Sequence, residues 1–562
     1  MRISNRLLPC LLATAALAGS QPQAQQNTRV VLREGQPILG AGGDIKTFNK
    51  IAVSDTGIFY ANVQTTGDKS MDDVVLLNGF LSILEGSVVA APSGATIRSF
   101  TDIDVNSQGF VGWPLSLSTG SNTNDTGIYW NTLLLALENN DVVATDVYGV
   151  PFNGRTVYNK FSTAKINDRS SILWAGNLDD KGTSGTEGAL ILERTDGQGT
   201  LIGEDILAMK GFAFPGQTET VKAVGINVNN IALNNNDDWI AMIKMNSSSL
   251  TDSTVTLNGQ ILAREGEESP IPGRFFTDFG GSKIDLNDFK DYVFTAFVDG
   301  DTSSNAMLIV NGQIYAQEGQ TYPAFEPQIL DRFDSVPMFI ANSGDVFWYA
   351  KTLEGASTDQ YLLRNQEVIV QENVTAVGNE TVTKIQSTTY AYHVSKSGRF
   401  WIAEVENGNG DSMLILADFG TSYPLPGCTG NPGTLTKVTG ETRAGETLLL
   451  EMDGAQGIGA IPMVFWSANN AAGTAATSAV QCGLVKPVGE IMISLARSDL
   501  FVKQIAAPYT GVPISLRIDI PNDPSLINMK VYGQGVFWDA AGTSGGPTFQ
   551  LTNGYYLEIG AP

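Results

Sequence analysis

The sequence predicts an all-β chain, a seven-bladed β-propeller followed by a C-terminal β-sandwich. Three observations carry that prediction. An Asn-Gly hairpin ending in Glu-Gly recurs at a near-constant period, a second turn and a polar loop share the period, and no segment after the first two dozen residues keeps a helical apolar period.

The hairpin is clearest at Asn258-Gly-Gln-Ile-Leu-Ala-Arg-Glu265-Gly266. It returns as Asn311-Gly-Gln-Ile-Tyr-Ala-Gln-Glu318-Gly319 and Asn78-Gly-Phe-Leu-Ser-Ile-Leu-Glu85-Gly86, and in weaker form from Asn365 to Glu372. Two apolar runs joined by Asn-Gly read as a β-hairpin, because both central residues of a type I′ turn need positive φ. Counting the terminal Glu-Gly places seven copies at Glu34, Glu85, Asp146, Lys210, Glu265, Glu318 and Glu372, 51 to 64 residues apart. Asp146 and Lys210 lack the consensus and are placed by spacing. Misreading them would make the count six or eight.

The second turn, Ser54-Asp-Thr-Gly57, returns as Asn106-Ser-Gln-Gly109, Ala341-Asn-Ser-Gly344 and Ser395-Lys-Ser-Gly398, with degenerate forms at Asn167-Asp168, Asn236-Asp237 and Asn287-Asp288. An aromatic-bearing run follows each, then a polar loop such as Asp299-Gly-Asp301 or Asn407-Gly-Asn409. Each unit therefore reads as three or four strands, the content of a propeller blade. The chain opens its repeat with Arg29-Val-Val-Leu-Arg-Glu-Gly35, the last strand of a unit, while the final unit from Phe400 to Phe419 supplies only earlier strands. The N-terminal strand is expected to complete that last blade and remove its exposed edges.

Residues 1–24 read as a signal peptide: Arg2 and Arg6, an apolar run from Leu7 to Leu17, then small-residue cleavage patterns. The propeller is assigned 25–420 and the sandwich 421–562. Removing the signal leaves 32 Lys+Arg against 58 Asp+Glu, a net charge of −26. Such a charge favours solubility and repels nucleic acid and anionic lipid, and no apolar run after residue 24 is long enough to span a bilayer. A secreted, soluble monomer is expected, extracellular or held at the cell surface. The two cysteines outside the signal, Cys428 and Cys482, are expected to pair, closing a 54-residue loop worth about 4 kcal/mol in the chain-entropy model.

After the Pro/Gly boundary at Ser422-Tyr-Pro-Leu-Pro-Gly427 the repeat stops, and short apolar runs alternate with turn signals. Gly427-Cys428, Gln534-Gly-Val-Phe-Trp-Asp-Ala-Ala541 and Leu551-Thr-Asn-Gly554 before Leu557-Glu-Ile-Gly560 give this part its character. It resembles a β-rich terminal domain of secreted bacterial repeat proteins, and the repeat is similar to uncharacterised secreted bacterial propeller families. The resemblance implies the fold and brings no catalytic residues with it.

Chemistry is narrowed mainly by exclusion. His393 is the single histidine, so histidine triads elsewhere and two-imidazole zinc sites are ruled out by count. Five residues before the second turn's glycine, the units hold Ala52, Asp104, Lys165, Leu233, Asp285, Phe339 and His393. Period-two alternation puts Asp104, Lys165, Asp285 and His393 on one face of their strands, where innermost strands would bring them to the axis as a ligand site. The competing reading is local satisfaction between blades. Asp299, Asp301 and Asn305, and Asn407, Asn409 and Asp411, place oxygens at alternate positions, making calcium the candidate cofactor; solvated turn formers are the simpler alternative. Trp174, Trp348 and Trp401 recur at one place in the unit and are expected to be core rather than sugar platforms. The expected function is a non-enzymatic binding or structural module for an extracellular protein or glycan. The alternative is a carbohydrate-active hydrolase or lyase using axial carboxylates.

Overall fold

The computed structural model describes residues 28–561 except 121–123, 140–155, 181–185, 215–216, 225–229, 280–282, 334–335, 354–356, 426, 429, 455–458, 470–482, 487–488, 496–499, 505–507 and 540–547. The fold is all-β; one short 3-10 turn, Pro524–Leu526, is the only helical element among the described residues.

Seven antiparallel sheets follow one another along the chain, numbered here 1 to 7: residues 45–84, 96–137, 156–209, 221–264, 276–317, 330–371 and 376–418. Each sheet touches the next, and sheet 7 touches sheet 1. Strand Thr28–Arg33 pairs antiparallel with Ser412–Asp418, the outermost strand that sheet 7 builds from its own residues. The apolar core is distributed: clusters of buried residues lie between neighbouring sheets, and Trp174, Trp348 and Trp401 sit at their centres with no measurable exposure. Stacking sheets in this way buries both faces of the inner strands, which is why strands such as Trp239–Met245 are apolar almost throughout.

The repeated Asn has two physical jobs. Asn78, Asn258, Asn311 and Asn365 take φ near +50°, the left-handed backbone that a type I′ turn requires. Each side-chain carbonyl also accepts an amide from the start of the neighbouring strand, from Phe59, Trp239, Tyr292 and Val346 at 2.8–2.9 Å. Asn131 does the same for Val111 in sheet 2, where the following residue is Thr and the motif escapes a search for Asn-Gly.

The Glu ruler needs one correction. The position assigned to Asp146 lies outside the described residues, and its role in sheet 2 is taken by Glu138. The Glu138 amide donates to Thr126 O as Glu265 does to Ser253 O, and its carboxylate accepts from the Asp125 amide and the Thr126 hydroxyl. Extra chain between sheets 2 and 3 stretched the spacing and displaced the count. Lys210 holds the equivalent place in sheet 3, its amide donating to Gly188 O.

Beyond Asp418 the chain enters other sheets. A five-stranded one contains Thr421–Leu425, Thr548–Glu558, Lys530–Asp539, Ile461–Ser467 and Leu500–Gln504, and a three-stranded one Thr434–Gly440, Thr447–Asp453 and Ile514–Asp519. Leu448, Leu450 and Met452 of the second share one apolar cluster with Val464, Phe537 and Tyr555 of the first. Cys428 is described, but Cys482 lies outside the described residues.

This C-terminal part is fastened to the second-turn end of sheets 5, 6 and 7. Arg399 donates to Asp418 through Nε and Nη2, to Glu558 at 2.6 Å and to Asn528 at 2.6 Å. The Thr421 hydroxyl donates to Ser397 O, and Tyr423 packs on Phe289 at 6.3 Å.

Candidate functional site

The four residues singled out on the innermost strands line one small cavity. Asp104 comes from sheet 2, Lys165 from sheet 3, Asp285 from sheet 5 and His393 from sheet 7. The strands converge there because the second turns of sheets 2 to 6 interlock, each with the next. Asn106 Nδ2 donates to Asn167 O, Asn167 to Asn234 O, Asn234 to Asn287 O and Asn287 to Ala341 O, at 2.9–3.2 Å.

The adjoining residue of each turn forms a second belt. The Ser107 amide donates to Asp168, Asp168 to Asn235, Asn235 to Asp288 and Asp288 to Asn342, all at 2.8–2.9 Å. Asn342 N then reaches Lys396 O, and Ser397 donates from its amide and hydroxyl to Asp55, joining the last turn to the first.

Within the cavity three of the four, Asp104, Asp285 and His393, already hold a backbone amide. Asp104, 6% exposed, accepts the Ile166 amide at 2.9 Å and faces His393 Nε2 at 3.4 Å. His393 Nδ1 accepts the Val53 amide at 3.2 Å, so a neutral ring carries its proton on Nε2, toward Asp104. Asp285 accepts the Ile340 amide at 2.9 Å and Lys396 Nζ at 3.3 Å. Asp104, Asp285 and His393 follow one pattern, a polar residue on the inner strand of one sheet holding an amide of the next. Lys165 can only donate, and it acts on Asp104 through its charge. Burial pushes the Asp104 carboxyl up, but Lys165, His393 and the Ile166 amide outweigh it and hold it below the usual range. Lys396 is likewise opposed by burial and kept protonated by Asp285, Asp104 and Asp288. In the belt, burial and the charge of Asp55 push Asp168 up to about 7.

Lys396 was not anticipated from the sequence. The readable signal was its place in Ser395-Lys396-Ser397, where the other turns hold Asp55, Ser107, Asp168, Asn235, Asp288 and Asn342 and no other cation. One inner position is also corrected. In sheet 4 the turn residue with positive φ is Asp237, so the residue equivalent to Asp104 is Ala232 rather than Leu233. Ala232 packs in the cluster shared with sheet 5, as Ala52 packs toward sheet 2, whereas Leu233 packs back toward sheet 3.

The cavity measures about 40 Å³. That is room for a few water molecules and far below the roughly 300–1,000 Å³ of small-molecule sites. At the second-turn end the C-terminal part reaches the belt. Tyr423 lies close enough to Asp55 and Asp288 that their charges add to burial in raising its hydroxyl far above the usual value.

The calcium candidates do not converge on one point. Asp299 accepts from the Phe275 amide and Arg274 Nε, Asp301 closes a turn on the Ser303 amide and hydroxyl, and Asn305 passes its backbone carbonyl to Val298. Asn407 turns its carbonyl oxygen onto the Asn409 and Asp411 amides and its amide onto Glu380. Among the described residues no group of three His, Cys, Asp or Glu side chains is placed to hold a metal ion. No helix among them is long and apolar enough to cross a membrane, which says nothing of β-barrels.

No curated protein matches the chain. Among solved structures it is similar to the dihydro-heme d1 dehydrogenase NirN in complex with DHE, with 10% identity, TM-score 0.30, 71% of this chain and 75% of that one covered. It is also similar to Trypanosoma rangeli sialidase in complex with the inhibitor DANA, with 9% identity, TM-score 0.28 and coverage of 95% and 92%. Likenesses this loose carry no functional weight. The model of the family of unknown function DUF7453 matches residues 12–308, more than half of the sequence, and the chain belongs to that family.

Proposed function

We propose that this protein is a secreted, non-enzymatic binding or structural module. In this reading the seven sheets are blades of a β-propeller closed by Thr28–Arg33, and the C-terminal sheets form a disulfide-linked β-sandwich over one end of its axis. Loops of the assembly meet an extracellular protein or glycan. The observation that carries it is the state of the axial carboxylates: Asp104 and Asp285 each hold a neighbouring backbone amide in a cavity of about 40 Å³. A glycosidase needs two carboxyl groups flanking a sugar ring in an open site. Here the carboxyls are spent on joining sheets, and no ring fits between them.

The test is to incubate the mature chain with a panel of polysaccharides, follow reducing-end and unsaturated-product release, and probe the same preparation on glycan and extracellular-protein arrays. The reading expects a partner without turnover. Turnover abolished by Asp104→Asn or Asp285→Asn without loss of fold would sink it in favour of the carboxylate enzyme.

A further inference from the structure

A second charged site lies away from the axis, in the seam between sheet 6 and the C-terminal part. The turn Ser343–Asp345, the hairpin Arg364–Glu367 and the segment Lys437–Glu441 enclose an open cleft of about 320 Å³. That volume falls at the lower end of the range for small-molecule sites, which favour domain boundaries.

Its floor is fixed in advance. Arg364, 4% exposed, places Nε and Nη2 on Asp345 at 3.0 and 2.5 Å and Nη1 on Glu441 at 2.7 Å. Asn365 is held as well, donating to Asp345 at 2.6 Å. The wall contributed by Thr434–Gly440 presents three successive residues, Lys437, Val438 and Thr439, to the cleft. A regular strand cannot do this, because alternate side chains point to opposite faces. The register shift between Lys437 and Thr439 marks a bulge that re-aims them.

What is left over defines the ligand. Among the described residues, the side chains of Glu367 and Lys437 make no hydrogen bond or ion pair, though Glu367 is half-buried and the charge of Lys437 acts on Asp345. Burial and the nearby Glu441 charge push the Glu367 carboxyl up, and Arg364 and then Arg443, whose buried Nε has no partner, offset them in part. Val438 is the one apolar side chain in the lining, so an apolar ligand finds no surface. Three carboxylates, of Asp345, Glu367 and Glu441, stand against two cations, Arg364 and Lys437. A fully charged ligand of either sign meets like charge. A neutral polyol, which donates to the carboxylates and accepts from the ammonium, meets none.

We propose that this cleft binds one or two rings of a neutral oligosaccharide, Glu367 and Glu441 accepting from hydroxyls and Lys437 donating to them. The inference rests on the binding-module reading and gives it a location and a ligand class.

The experiment is saturation-transfer NMR followed by calorimetric titration of the full mature chain with cellobiose, xylobiose, maltotriose and N,N′-diacetylchitobiose. Variants Lys437→Ala, Glu367→Gln and Val438→Trp are checked for an unchanged melting temperature. At least one sugar is expected to bind, with on the order of tenfold weakening by each polar variant and loss of binding when tryptophan fills the cleft. No saturation transfer from any of the four sugars at millimolar concentration overturns the proposal. Binding that all three variants retain also overturns it, while leaving the binding module intact. Cleavage of a sugar that the variants no longer bind supports the cleft and overturns the non-enzymatic reading instead.

Discussion

The axial cavity and the seam cleft both gather carboxylates, cations and polar backbone, yet they are opposite kinds of place. On the axis Asp104 and Asp285 each close on an amide of the adjoining sheet, Lys396 meets Asp285, and the remaining space is about 40 Å³. In the seam only the Arg364 hub is closed, while Glu367 and Lys437 face about 320 Å³ of open space. Buried charge that is fully partnered specifies an assembly, whereas charge left unpartnered at a concave surface has a ligand still to meet. A strongly charged cluster is therefore a poor guide until its bonds have been accounted for.

The comparison can be broken most severely at the hub. Arg364→Ala takes the guanidinium away from both Asp345 and Glu441, leaving Asp345 with Asn365, Ser343 and the charge of Lys437. It should cost about 3–5 kcal/mol in denaturant unfolding, loosening the C-terminal part first. The next effect is a pH dependence from the belt. Asp168 is raised to about 7 when folded, against 3.8 for the free side chain, by burial and by Asp55, with Asp288 adding to it. The folded state thus keeps a proton that the unfolded chain releases. The group's stabilising contribution is complete below pH 3.8 and is lost as pH rises through about 7. Asp168→Asn should remove that slope, gaining roughly 2–3 kcal/mol on the parent between about pH 5 and pH 8, as read from urea midpoints across pH.

Smaller again is the effect of a single amide clamp. Asp104→Ala strands the Ile166 amide and His393 Nε2, and about 1–3 kcal/mol should be lost in thermal unfolding, with Asp104→Asn recovering part of it by accepting the same amide. If Asp104→Ala proved stabilising, the axial carboxylate would be strained in place and the site functional after all. The smallest effect belongs to the exposed turns. Asp301→Ala should change stability by no more than about 0.5 kcal/mol, and calcium against chelator should leave the melting curve unmoved. A clear calcium shift would restore a metal to loops that here close on themselves.

Much of the architecture was legible in the sequence because it is written in turn chemistry. Asn78, Asn258 and Asn311 precede glycine since no other pair takes two positive φ values so easily, and period-two counting through Asp104, Lys165, Asp285 and His393 found residues that do share one cavity. The same counting slipped in sheet 4, where Asp237 rather than a glycine takes the left-handed backbone, and in sheet 2, where an insertion separated Glu138 from the expected spacing. The seam cleft was not legible at all. Arg364 and Glu441 are 77 residues apart and belong to no common motif, so their meeting depends on how the C-terminal part seats itself. A bulge at Val438 likewise leaves no mark in the residue pattern.

The pairing of Thr28–Arg33 with Ser412–Asp418 has a consequence in time as well as in space. A ribosome delivers the first of these strands long before the second exists, so the earliest strand of the repeat must wait, unpaired, while sheets 1 to 6 assemble from local hairpins. Closing so long a loop is slow compared with forming any one hairpin, and the last edge to be covered belongs to sheet 7. During that interval two half-finished chains at high concentration can lend each other the missing strand, since the register offered by Ser412–Asp418 is the same in every copy. Refolding yield should therefore fall with protein concentration, and the product that forms instead should be a strand-exchanged oligomer with native-like sheets.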